Sequence, residues 1–254
     1  MRCLSDILPK FQRMSFLPFL RHFKRAVLRR AGRSRILIEP GGTKVAIANY
    51  KCGFTSMNRC LPKWDKRIDD GEHLRRYLAG RPGLEVHMIV RDPVVRFQSF
   101  VHGWFVDRGA VFFERRQQRE ISNFAYDNLV KLGGQEAAAR VEALVEAADL
   151  DGLYHFLSAE FPLDRYIDLN EHTVKQSQLI TAGGEFIPVH HFYDLDSPAA
   201  LEDFSSRLGV EFPVSNQSSR TRHEVSPAVR ARLEEIFADD YRLLAGIFKR
   251  SSEA

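Results

Sequence analysis

Lys44 to Leu61, KVAIANYKCGFTSMNRCL, constrains this chain more than any other stretch, because a β-compatible apolar run passes at once into a polar turn and then into helix-forming sequence. Val45 and Ile47, with the alanines beside them, supply the strand, and Lys51-Cys52-Gly53-Phe54-Thr55-Ser56 supplies the turn. That is the layout of an anion-binding turn. A helix opening at Thr55 or Ser56 offers unpaired backbone N–H groups, Gly53 lets the backbone approach a ligand, and Lys51 adds a full positive charge. Phosphate or sulfate is the natural guest. The same fragment also reads as an ordinary strand-to-helix connection with Thr55 or Ser56 as N-cap. It is not a Walker P-loop, since Gly-x4-Gly-Lys-Ser/Thr occurs nowhere in the chain.

A second stretch, Val86 to Phe100, repeats the pattern of apolar strand, charged turn and helix. Arg91 falls at the strand's carboxyl end, where open α/β sheets bind ligands, and Pro93 suits a first helical turn. Ser99 lies two turns further on. An arginine grips phosphate through two parallel hydrogen bonds, and a serine hydroxyl completes such a site. Anion sites at two neighbouring strand ends point to one doubly charged ligand.

Taken in order, Lys51-x-Gly-x-Thr-Ser and then Arg91-Asp92-Pro93-x-x-Arg96-x-x-Ser99 resemble the two donor-binding motifs of PAPS-dependent sulfotransferases, especially the carbohydrate-type, family 2-like branch. The resemblance spans roughly residues 44 to 248. It implies a P-loop-like sulfotransferase fold of the α/β class, a central, mainly parallel sheet flanked by helices. It implies that Lys51, Gly53, Phe54, Thr55, Ser56 and Met57 hold the 5′-phosphosulfate, and that Arg91 and Ser99 hold the 3′-phosphate. By the same analogy the polar loop Asn216 to Arg220 closes over the nucleotide, with Arg220 as a contact. The implied reaction moves a sulfuryl group from PAPS to a hydroxyl of a carbohydrate or glycolipid acceptor, leaving PAP, with no metal required.

In that chemistry Lys51 stabilises the charge that builds on the leaving phosphate, and a base takes the acceptor's proton. His73 is the first candidate, because imidazole titrates near neutrality and related carbohydrate enzymes look similar in carrying a histidine between the donor motifs. Glu72 is an alternative. A third candidate is His172, in Asp168 to Gln176, which resembles the family's Asp-x-His-Trp-x-Pro-Gln stretch in the spacing of His172 and Gln176. Thr173 and Lys175 stand where that pattern has Trp and Pro. A plain surface loop is the other reading of this segment.

At 254 residues the chain suffices for one well-cored domain, expected over residues 35–250. Residues 1–34 form a basic amphipathic arm. Through Arg35 the arm carries ten Lys and Arg against one acid, so the remainder of the chain is net acidic despite an overall +4. Nucleic acid is therefore not an expected partner, whereas the arm could touch an anionic membrane surface or pack on the domain. Cys3, Cys52 and Cys60 have no metal-ligand spacing, and a reducing compartment is the simpler assumption. Within the turn, Cys52 reads first as a small buried filler. No apolar run approaches the roughly 18 residues of a membrane span, so the expected location is cytoplasmic, with the arm placed to reach the membrane's inner face. Two other functions stay open: a magnesium-dependent nucleotide phosphotransferase or hydrolase, and a non-catalytic nucleotide-binding module tethered by the arm to membrane or nucleic acid.

Elsewhere the punctuation predicts a hairpin over 35–48 turning at Pro40-Gly41-Gly42-Thr43, then a charged link and a helix from Gly71 to Leu78. Helices follow at 93–109, 135–148 and 150–160, separated by a mobile or substrate-facing run over 112–131. A late strand over 187–195 leads to a helix at 198–208, and Asp194 and Asp196 could cap that helix or face an acceptor sugar. One final helix runs from Ser226-Pro227 to Phe248.

Overall fold

The computed structural model describes residues 35–68, 70–107, 124–169, 172–213 and 223–248, and its elements follow from short local signals. The basic arm and Arg220 lie outside the described residues. Strands β1 (Ile36–Ile38) and β2 (Lys44–Ala48) form the expected hairpin, closed by a turn in which Gly42 adopts φ 69°. Helix α1 (Phe54–Cys60) follows, then strand β3 (Asp65–Ile68), helix α2 (Gly71–Ala79), strand β4 (Glu85–Val90) and helix α3 (Pro93–Val101). A π-turn over His102–Val106 prolongs α3. Next come α4 (Phe124–Glu146), α5 (Leu150–His155) and α6 (Leu163–Leu169), and then the small hairpin β5 (Thr181–Ala182) and β6 (Glu185–Phe186). Strand β7 (His191–Asp194) precedes α7 (Pro198–Leu208), α8 (Pro227–Ile236) and α9 (Ala238–Leu243).

One start signal serves three helices. Asp92, Ser197 and Ser226 each accept a first-turn N–H, and each is followed by a proline that donates none.

The sheet order is β3-β1-β2-β4-β7. Strands β2, β4 and β7 pair in parallel, while β1 runs against both its neighbours, so four of the five strands share one direction. This is the expected α/β architecture. Side-chain alternation sends Val45, Ile47, Val86, Met88 and Val90 to one face, where Leu74 of α2 covers them. Ala46, Ala48, Ile89 and Tyr193 face the other way, against Met57 of α1 and Leu201, Phe204 and Leu208 of α7. A third cluster packs α3, α4, α5, α6 and α8 together around Phe97, Phe100, Phe105 and Tyr166.

Several boundaries differ from the sequence expectation. The charged link contains β3, an edge strand whose Asp-Lys-Arg-Ile has one apolar residue and so no visible alternation. Part of the run expected to be mobile or substrate-facing, residues 124–131, is helical, and Gly134 (φ 72°, ψ −176°) breaks α4 just beyond it. The last helix breaks at Phe237, whose ψ of 22° leaves the α region. Ser197 caps α7, and Asp194 and Asp196 do not. Helix α6 was not expected, since Pro162 hides its start. Among the described residues no helix is long and apolar enough to cross a membrane.

His87, inside β4, is fully buried beside its register partner His191, with Nδ1 2.8 Å from the Tyr193 hydroxyl and Nε2 3.3 Å from Glu85. Burial, reinforced by the neighbouring His191 and opposed by Glu85, holds its pKa down at about 4. Between about pH 6.5 and 4 the unfolded chain therefore binds a proton that the folded chain does not. The contribution of His87 to stability should fall by about 3 kcal/mol across that window and be constant below it, where the carboxylates take over the pH dependence. Denaturant titrations of the wild type and His87→Gln check this: the slope should flatten in the variant.

Candidate functional site

Because β2 and β4 are parallel neighbours, with Ala48 opposite Ile89, the turns that follow them leave the sheet at the same edge. The first turn is tight. Cys52 N–H donates to the Asn49 carbonyl at 3.0 Å, Lys51 adopts φ 64° and Gly53 adopts φ 70°. A left-handed backbone at a lysine costs about 1 kcal/mol, so the surroundings must hold it. Gly53, and neither Thr55 nor Ser56, is the N-cap of α1, and no side chain caps that end. A Cβ on Gly53 would lie 2.9 Å from Phe212 and 3.0 Å from Leu195, so on that side glycine admits protein packing.

What holds the turn is a buried polar brace. The Arg96 guanidinium, 1% exposed, donates to the Tyr50 carbonyl at 3.1 Å and to the carbonyls of His172, Thr173 and Val174 at 3.2, 3.3 and 2.7 Å. Burial pushes its pKa down. Asn49 Nδ2 adds a bond to the Val174 carbonyl at 3.0 Å. Gln176, with no exposed surface, joins the two turns directly. Its Oε1 accepts from the Cys52 thiol (3.2 Å) and the Arg91 N–H (3.1 Å), and its Nε2 donates to the Arg91 carbonyl (2.8 Å). Asp240 of α9 anchors this segment by accepting from Gln176 N–H, Ser177 N–H and Ser177 Oγ. Desolvation raises the Asp240 pKa, opposed by Arg96 and these bonds. Residues 172–176 are thus an internal strut, and over these residues the surface-loop reading is overturned.

The candidate residues distribute unevenly around this brace. Lys51 directs its ammonium toward Gly103 of the π-turn, where a Cβ would stand 2.6 Å from Nζ. Arg91, with its side chain 15% exposed, engages Asp196 through Nε at 2.9 Å and Nη2 at 3.1 Å. A carboxylate thus occupies the planar fork that a phosphate would use. Ser99 is half-buried on the second turn of α3. Thr55 is exposed, while Phe54, Ser56 and Met57 are buried, Met57 in the core beneath α7. Cys52 is a buried filler, and burial pushes its thiol up to about 11.

The three candidate bases separate clearly. The His73 side chain, 54% exposed, sits in the first turn of α2 with Nδ1 3.5 Å from Asp70, the N-cap. Glu72 accepts from Gly183 N–H and from Arg75. The His172 ring stacks on Tyr50, with centroids 4.1 Å apart, and meets Trp104 edge-on at 5.1 Å. It therefore touches the residues flanking Lys51 and Gly103 in sequence.

Tyr50, Gly103, Trp104, Asn49 and Asp196 belong to this surrounding and were not singled out from sequence, apart from Asp196 as a possible cap or acceptor contact. A small residue and an indole together at a helix end, His102-Gly103-Trp104, was the available signal. Among the described residues, no three His, Cys, Asp or Glu side chains are grouped to hold a metal ion. Comparisons of the chain with protein-family models, with curated proteins and with solved structures return no match.

Gln176→Leu keeps the volume but strands the Arg91 N–H and carbonyl in a buried place, at roughly 1–3 kcal/mol per group. We expect a loss of about 2–4 kcal/mol in urea unfolding. A loss below about 1 kcal/mol would show that the carboxamide does not join the turns.

Proposed function

We propose that this chain is a PAPS-dependent sulfotransferase that sulfates a hydroxyl of a carbohydrate or glycolipid, built on a P-loop-like sulfotransferase fold. One observation carries the reading: the Lys51-x-Gly-x-Thr-Ser turn and the Arg91 turn leave adjacent parallel strands at one sheet edge and are bonded to each other through Gln176. Carboxyl ends of neighbouring strands are where open α/β sheets bind nucleotides.

In this reading Lys51 neutralises the charge that develops on the bridging oxygen as the sulfur–oxygen bond to phosphate breaks. The acceptor oxygen forms the new bond to sulfur and gives its proton to an imidazole. Of the two histidines considered, the contacts with Tyr50 and Trp104 favour His172, because they hold its ring beside the Lys51 turn, whereas His73 is engaged with Asp70. Arg91 takes the 3′-phosphate by exchanging the Asp196 carboxylate for it, a like-for-like swap of one bidentate anion for another. The remaining partners are the acceptor glycan and, through residues 1–34, a membrane surface.

Thermal-shift measurements with PAP and PAPS against ATP with magnesium test the donor. Selective stabilisation by the adenosine 3′,5′-bisphosphate pair is expected, and stabilisation by ATP-magnesium alone would refute the reading. Lys51→Ala should lower turnover about 10²-fold or more with the fold intact. Arg91→Ala should weaken PAP binding in calorimetry by about 10- to 100-fold, the equivalent of one charged hydrogen-bonded contact. His172→Ala should reduce turnover while leaving PAP affinity near normal, and His73→Ala should reduce it less.

A further inference from the structure

We propose that Gly103, in the π-turn closing α3, is a positioning residue that sets where the Lys51 ammonium points; the inference rests on the role given to Lys51 above. Helix α3 does not fray into a loop. It widens into a π-turn over His102–Val106, closed by the bond from Asp107 N–H to the His102 carbonyl at 2.7 Å. Such single-turn widenings are unfavourable on their own and recur at functional sites. This one presents the bare α-carbon of Gly103 to the first turn, with Nζ and Cε of Lys51 2.6 and 3.8 Å from the place a Cβ would occupy. Any side chain at 103 therefore meets the ammonium first.

The two segments are held in fixed register by their neighbours. Tyr50 precedes Lys51, Trp104 follows Gly103, and the His172 ring lies against both. The left-handed backbone at Lys51 sets the direction in which its side chain leaves. The far end of that flexible side chain lies over Gly103, in the space a Cβ would take. A Cβ at 103 collides with that movable end, so Gly103→Ala displaces the ammonium and spares the backbone. Alanine is also the better helix former, so a glycine here with no such task would be improved by the change.

A double-mutant cycle over wild type, Gly103→Ala, Lys51→Ala and the double variant tests this. Unfolding midpoints, PAP affinity by calorimetry and the nitrogen NMR signal of the Lys51 ammonium, identified by its loss in Lys51→Ala, are the three readouts. Gly103→Ala should keep or raise the unfolding midpoint, weaken PAP binding roughly ten-fold, and shift the Lys51 signal. In the Lys51→Ala background it should weaken PAP no further. Equal weakening in both backgrounds would mean Gly103 acts on the fold alone and overturns the proposal, as would an unmoved Lys51 signal. Should the wild type bind no PAP, the sulfotransferase reading fails, and the NMR signal still decides the Gly103 question: displacement supports it and constancy refutes it.

Discussion

The contact on which the rest of this site depends is the carboxamide of Gln176. A single planar group with two acceptor lone pairs and two donors bonds to the thiol of one turn and to both backbone groups of the other. Neither turn has a regular partner for those atoms, since each has just left its strand. Without the carboxamide those groups would lose their partner in a largely buried place.

Arg96 completes the arrangement by a different means. A buried guanidinium would ordinarily be costly, and the desolvation that lowers its pKa expresses that cost. Four carbonyl oxygens, one from the first turn and three from the strut, take four of its five N–H donors, and Asp240 lies close enough to oppose the shift. Arg96 is thus given over to internal bracing, while Arg91, five residues earlier, keeps part of its side chain exposed. Fixed carbonyls hold the Arg96 charge, whereas the single carboxylate of Asp196 holds that of Arg91. The same division runs through the histidines. His87 is sealed in the sheet and kept neutral, while the His172 ring stands against Tyr50 and Trp104 beside the first turn.

Much of the scaffold was legible in the sequence, because its causes are local. Asp92-Pro93 and Ser226-Pro227 announced their helices, alternation and apolar runs announced β2 and β4, and Pro40 to Thr43 announced the hairpin. Strand β3 escaped because an edge strand needs no apolar periodicity, and the break at Phe237 escaped because the apolar face runs on through it. In the candidate site, the two turns were visible as motifs. The roles of their members were not: Gly53 is required by Phe212 and Leu195, Met57 belongs to the core, and Arg96 is internal.

By itself, then, the sequence determined that two strand-turn-helix units of opposite charge to phosphate would exist, since strand, turn and helix start are each set by residues within a few positions of one another. Only the tertiary structure decided that the units share an edge, that Gln176 joins them from 124 and 85 residues away, and that Asp196 fills the Arg91 fork from 105 residues away. Which of several polar side chains meets a given turn depends on how distant segments pack, and residue type and local spacing carry no record of that.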